Sequence, residues 1–126
     1  MKKLIIVEDD PVVGLVYRTG LTKEGFVVEV AVDGQAGLAR IEATNPSAVL
    51  LDLMLPKMPG VEVLKKMRAQ PVLAKIPVIV FTNAFVPEMI LAAMEAGATR
   101  VLNKAQIGPH DVIEALKGAG CFAKEA

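Results

Sequence analysis

The chain has 126 residues, 53% of them hydrophobic, and its 14 Lys and Arg balance its 14 Asp and Glu. That length fits one domain, and a formal net charge of zero gives no support for a nucleic-acid or anionic-membrane surface, both of which need a basic excess. The single cysteine, Cys121, rules out an internal disulfide and points to a reducing compartment; as a lone residue near the C-terminus it reads as incidental.

Taken in chain order, the first element is KLIIV (residues 3–7), a strand-like run. Asp10-Pro11 then opens a helix, with an N-cap acid followed by proline at the first helical position, and Gly25 closes it. VVEVA (27–31) is a second strand; Glu29 interrupts its apolar run and suggests an edge position. Asp33-Gly34 opens a second helix that ends before Asn45-Pro46. AVLL (48–51) is a third strand, and a third helix follows Gly60 through VEVLKKMRAQ to Pro71. IPVIVF (76–81) is a fourth strand, followed by a helix from Pro87-Glu88 to Gly97. RVLN (100–103) is the fifth strand, and a last helix starts near Pro109 and frays after Gly118.

Most of these runs are apolar on consecutive positions, as in strands buried on both faces of a parallel sheet. Five strands alternating with five helices predict an open α/β sheet with right-handed crossovers. Mean hydropathy is +0.48, yet no apolar piece approaches the roughly 20 residues of a membrane-spanning helix. In MKKLIIVEDD the apolar segment has four residues, against the roughly 7 to 15 of a secretory signal. The expectation is a soluble cytoplasmic protein, a single domain over residues 1–126 with no output domain in the chain.

In sheets of this kind, ligands bind beyond the carboxyl ends of the strands. Glu8, Asp9 and Asp10 follow strand 1, Asp52 follows strand 3, Thr82 and Asn83 follow strand 4, and Asn103 and Lys104 end strand 5. Each has an ordinary alternative. Asp10 before Pro11 reads as a structural N-cap, threonine is common at strand ends, and a lone strand-end lysine is usually solvated. Glu8 and Asp9 are adjacent acids that repel unless a cation or water relieves them, and Asp52 sits between apolar neighbours where an unpaired acid is costly. Their convergence on one edge is the strongest signal in the sequence.

Three carboxylates in one cleft form an oxygen-rich site for a hard divalent cation, and Mg²⁺ fits because it takes few protein ligands and keeps waters and phosphate oxygens. A carboxylate can also act as a nucleophile toward phosphorus, giving an acyl phosphate. The transferred group's oxygens then need neutralising, which a metal on one side and the Lys104 ammonium and Thr82 hydroxyl on the other would supply.

With IIVEDDP, VLLDLMLPKMPG, VIVFTNA and VLNK in this order and spacing, the chain resembles the response-regulator receiver domain of two-component signalling, of the chemotaxis-receiver type, over essentially its whole length. The resemblance implies a flavodoxin-like open parallel five-stranded sheet, order 2-1-3-4-5, with the five helices divided between its faces. It implies that Asp52 accepts a phosphoryl group from a histidine kinase or histidine phosphotransfer protein. Asp9, Asp52 and the backbone carbonyl of Met54 would ligate Mg²⁺, with Glu8 assisting through water, and Thr82 and Lys104 would contact phosphoryl oxygens. It further implies signalling to a downstream protein, or to a second copy, through the face of helix 4, strand 5 and helix 5. Such a domain is a phosphoacceptor that catalyses only its own phosphorylation and dephosphorylation.

Three positions depart from the family pattern. Ala105 stands where a proline in a cis peptide usually follows the lysine; a non-proline cis bond costs about 2.5–4 kcal/mol, so the peptide is trans or held cis at considerable cost. Val101 replaces the switch aromatic and has no ring to swing behind Thr82. Asn83 replaces a small residue, narrowing access to the phosphoryl group or donating a hydrogen bond to it. Met54 and Ala84 occupy positions that tune phosphoryl loss, and neither can orient an attacking water, which predicts a long-lived phosphoryl-aspartate. Helix 4, PEMILAAMEAGA, is apolar nearly all round apart from Glu88 and Glu95, so it either presents a partner surface or simply carries little amphipathic character.

Phosphatases of the haloacid-dehalogenase type place their nucleophile after the first strand with a second acid two residues on, whereas Asp52 follows strand 3 and Met54 stands at that second place. A flavin-binding flavodoxin needs a phosphate loop that EDDP would repel. An atypical receiver-like protein-interaction module, signalling without phosphorylation, draws support from Asn83, Val101 and Ala105 and is opposed by the full set Glu8, Asp9, Asp52, Thr82 and Lys104. His110 has no metal-spaced companions and takes no role.

Overall fold

The computed structural model describes residues 2–123. Five parallel strands, β1 (Lys3–Val7), β2 (Val27–Ala31), β3 (Ala48–Leu51), β4 (Val78–Thr82) and β5 (Arg100–Asn103), form one sheet in the order β2-β1-β3-β4-β5. The expected order is therefore the observed one, and VVEVA is an edge strand.

Alternation along each strand divides the core between two faces. Ile5, Val7, Val49, Leu51, Val78 and Val80 face one side, packed by α2 (Gly34–Thr44), α3 (Gly60–Arg68) and α4 (Pro87–Glu95). Leu4, Ile6, Leu50, Ile79 and Phe81 face the other, packed by α1 (Pro11–Glu24) and α5 (Pro109–Gly118). Cys121 is buried with this second set, a small apolar side chain in the core.

The caps read from the sequence are formed. The Asp10 carboxylate accepts from the Val12 and Val13 amides, and Gly25 ends α1 at φ 117°, a left-handed conformation that glycine adopts without strain. Two boundaries shift. Helix α3 ends at Arg68 rather than running to Pro71, because proline disfavours helical backbone at Gln70 and the Arg68 guanidinium turns away to the carbonyls of Gly97 and Leu73. Strand β4 begins at Val78 rather than Ile76, since Pro77 has no N–H and the Val78 amide donates to the Thr99 hydroxyl at 3.0 Å. Thr82 is thus the last residue of the strand, not the first beyond it. Among the described residues no helix is long and apolar enough to cross a membrane.

Candidate functional site

Four strands deliver the polar residues to one edge. Beyond β1, Glu8 turns inward and is 1% exposed, while Asp9 faces solvent. Beyond β3, Asp52 is 4% exposed, and at the end of β4 Thr82 is fully buried. Carboxylate oxygens of Glu8, Asp9 and Asp52 lie within 4.8 Å of one another. The structure brings together all three acids named from the sequence.

Lys104 closes the group from the β5 side. Its Nζ donates to Glu8 Oε1 and, at 2.9 Å, to Asp52 Oδ2, with 11% of the side chain exposed. It is not a solvated strand-end charge. Burial alone would push its ammonium pKa down, but the hydrogen bonds it donates to Glu8 and Asp52 outweigh that and hold it above the ordinary lysine value. Glu8 moves upward too. Burial is the main cause and the Asp52 charge adds to it, while Lys104 and the Asp10 amide offset only part. A single ammonium stands against more than one carboxylate, so negative charge remains in surplus.

That surplus is what a hard divalent cation neutralises, and the donors are all oxygen. Glu8 Oε1 and Asp52 Oδ2 are occupied by Lys104, whereas Asp9 is solvent-facing and Asp52 Oδ1 accepts only a long bond from the Met54 amide at 3.4 Å. The residues present therefore fit a divalent cation. Met54 lies exposed on the loop directly after Asp52.

The loop DLMLPKMPG has a physical reason for its last residue. A Cβ on Gly60 would lie 2.2 Å from the Asp52 carbonyl oxygen and 2.7 Å from Leu53 Cα. The Gly60 amide donates to the Leu53 carbonyl at 2.9 Å, so the start of α3 is clamped against the backbone of the central acid.

The tuning positions are spread around this core. The Thr82 hydroxyl accepts from the Ala84 amide at 3.0 Å, and Asn83 is exposed. Val101 is half-buried against the α2–α4 side of the core together with Met89. The described peptides are all trans, which resolves the open question at Lys104–Ala105. The chain continues instead as a single 3-10 turn, Lys104–Gln106. His110 is exposed in the first turn of α5.

Three participants were not assigned from the sequence. The Phe81 ring lies under the Lys104 ammonium, 4.8 Å from Nζ to the ring centroid. Tyr17 meets Phe81 edge to face at 5.0 Å, and its hydroxyl donates to the Ile107 carbonyl at 3.3 Å. Asn103 caps the 3-10 turn, its Oδ1 accepting from the Ala105 amide at 3.1 Å. Phe81 was visible as the residue before Thr82, but nothing local shows that a lysine more than twenty positions later crosses its ring.

Comparison with known proteins agrees with this geometry. The family model for the response regulator receiver domain matches residues 4–117. The transcriptional regulatory protein QseB of Haemophilus influenzae is 34% identical over 81% of this chain and 45% of its own length. The DNA-binding dual master transcriptional regulator RpaA of Synechocystis is 34% identical over 92% of this chain and 46% of its own. The chain thus spans less than half the length of these relatives. Chemotaxis protein CheY4 of Vibrio cholerae superposes with a TM-score of 0.87 at 27% identity, covering 94% of this chain and 98% of that one. Receiver domains are signalling domains that bind Mg²⁺ at an acidic pocket and interact with histidine kinases, and Glu8, Asp9 and Asp52 form such a pocket here. From its sheet order, its acidic edge and these matches, the chain belongs to the response regulator receiver domain family.

Proposed function

We propose that this chain is a phosphoacceptor whose Asp52 takes a phosphoryl group from a histidine kinase or histidine phosphotransfer protein. The observation that carries the reading is the buried pair Glu8 and Asp52, bridged by Lys104, with solvent-facing Asp9 beside them. An Asp52 carboxylate oxygen attacks phosphorus as the donor's P–N bond breaks, leaving an acyl phosphate on Asp52 and returning the electron pair to the donor imidazole. Asp9, Asp52 and the Met54 carbonyl would hold Mg²⁺, with Glu8 reaching it through water. Bound there, the cation would neutralise the phosphoryl oxygens.

The protein's own groups then rearrange. Lys104 exchanges its bond to Asp52 for one to a phosphoryl oxygen, and Thr82 leaves the Ala84 amide to do the same. Only the phosphorylated state rewards that inward movement, so it shifts a two-state equilibrium. Readout passes through α4, β5 and α5 to a downstream protein or a second copy. Leu91 and Met94 on α4 are 58% and 47% exposed, with Phe85 and Val86 exposed just before it. With Met54 exposed and Ala84 apolar, no side chain at these positions orients an attacking water, so the phosphoryl-aspartate is long-lived. The chain catalyses only its own phosphorylation and dephosphorylation.

A second reading, an interaction module that signals without phosphorylation, draws on the ring-less Val101, on Asn83 and on the trans peptide at Ala105. Backbone spectra recorded with Mg²⁺ and beryllofluoride, beside Asp52→Asn, separate the two. Asp52-dependent shifts at Thr82, Lys104 and α4 support the phosphoacceptor; identical spectra for both proteins support the module.

A further inference from the structure

We infer that Asn103 is the positioning residue for Lys104, taking the place of the proline that the family carries after this lysine; the inference rests on the phosphoacceptor reading of the site.

A lysine side chain is long and flexible, and immobilising one costs rotamer entropy. Aiming its ammonium at two acids therefore requires that its own backbone be fixed. At Lys104 that backbone leaves the sheet. Asn103 is the last residue of β5, in register with Thr82, and Lys104 starts the 3-10 turn. A proline after the lysine would restrict this exit, and here it is absent.

The exit is held instead by a side chain. Asn103, at φ −82° and ψ 108°, places Oδ1 on the Ala105 amide, one of the donors that a helical turn leaves unpaired at its start. Ala105 is what makes this possible, because a proline at that position has no N–H to donate. Cap and proline are therefore mutually exclusive solutions, and Asn103 with Ala105 is a matched pair. A second tie holds the far end of the turn, where the Tyr17 hydroxyl donates to the Ile107 carbonyl. Between the two ties the Lys104 side chain runs back across Phe81 to Glu8 and Asp52.

The test compares the wild type with Asn103→Ala and with Asn103→Ser, a neutral acceptor that closes the same turn. Two properties are measured: the initial rate of Asp52 modification by acetyl phosphate with Mg²⁺, and the slowly exchanging Lys104 ammonium signal in nitrogen-edited spectra, assigned by its loss in Lys104→Ala. Asn103→Ala is expected to slow modification roughly tenfold, the scale of a misplaced catalytic group, and to broaden the ammonium signal. Asn103→Ser restores both to near wild type. In the Lys104→Ala background, Asn103→Ala causes no further loss of rate.

A wild-type rate and an intact ammonium signal in Asn103→Ala overturn the inference. So does an equal loss in the Lys104→Ala background, which would mark a general effect on folding. If the wild type is not modified while the ammonium signal still depends on residue 103, the positioning role stands and the phosphoacceptor reading fails.

Discussion

The carboxyl edge of the sheet and the α4–β5 face are built on opposite terms. At the edge, ionisable groups are buried: Glu8 and Asp52 are almost wholly enclosed and share one ammonium. Along α4, apolar groups are exposed, and only Ala93 of the helix is buried. Each arrangement carries a cost that a ligand removes. Surplus buried negative charge is relieved by a cation, and exposed apolar surface by a protein partner. The two regions also differ in the groups they present. The edge gathers acids, a hydroxyl and an ammonium, whereas the face presents aliphatic side chains, and Val101 beside it has no ring.

The largest expected effect tests the edge. Lys104→Ala leaves Glu8 and Asp52 without their cation and is predicted to cost about 3–5 kcal/mol at neutral pH, read from denaturant unfolding. Burial already holds Glu8 above the usual carboxylate range, and removing the ammonium pushes it further. An acid whose folded pKa exceeds its unfolded value favours the fold while protonated, so this deficit is smallest at low pH and grows as pH rises through the Glu8 titration. A deficit independent of pH would mean that buried charge is not its source. Added Mg²⁺ should recover part of it.

Gly60→Ala comes next. Its new Cβ meets the Asp52 carbonyl oxygen at 2.2 Å and backbone must shift, with a predicted loss of about 1–3 kcal/mol. Slower Asp52 modification should accompany it, because the clamp acts on the acid's own backbone. Normal stability and normal modification together would contradict the close approach.

Tyr17 gives a smaller effect that reports on the loop carrying Lys104. Burial, then the charges of Asp111 and Glu8, push its phenol up to about 12. Tyr17→Phe loses the bond to Ile107 and is expected to cost about 1 kcal/mol at neutral pH. Since the folded state resists phenolate formation, the wild type holds this contribution below about pH 10 and loses it as pH rises toward 12, whereas the variant shows no such slope. As the protein's single tyrosine, Tyr17 can be followed by phenolate absorbance, and a midpoint near 10 would contradict its enclosure.

The smallest stability effect falls on the other region. Leu91→Ser with Met94→Ser should change folding by less than about 0.5 kcal/mol, yet weaken self-association or partner binding of the phosphorylated form in sedimentation. Charge reversal at Glu95 should act in the same direction. Association untouched by all three changes would remove α4 from the readout.

How legible these regions were in the sequence differs for a physical reason. Strands and caps are local: Asp10 before Pro11 and the buried run AVLL before Asp52 can be read from a few residues. The acids of the site share this property, because each strand end announces its own residue. What joins them is not local. Lys104 bridging Glu8 and Asp52 depends on the course of β5 beside β4, and Phe81 beneath the ammonium depends on which face of β4 it occupies. Asn103 stood in plain view as a strand-end residue, but its capping role required knowing that the Ala105 peptide is trans and its amide free to bond. Pro77 and Pro71, whose effects are local, account for the two misplaced boundaries.

The central claim is that this edge is a working phosphoacceptor centred on Asp52. Intact mass measured after incubation with acetyl phosphate tests it most directly, with and without Mg²⁺, for the wild type and Asp52→Asn. The account predicts the gain of one phosphoryl group in the wild type with Mg²⁺ and none in Asp52→Asn. No gain in the wild type, or a gain that persists in Asp52→Asn, would contradict it.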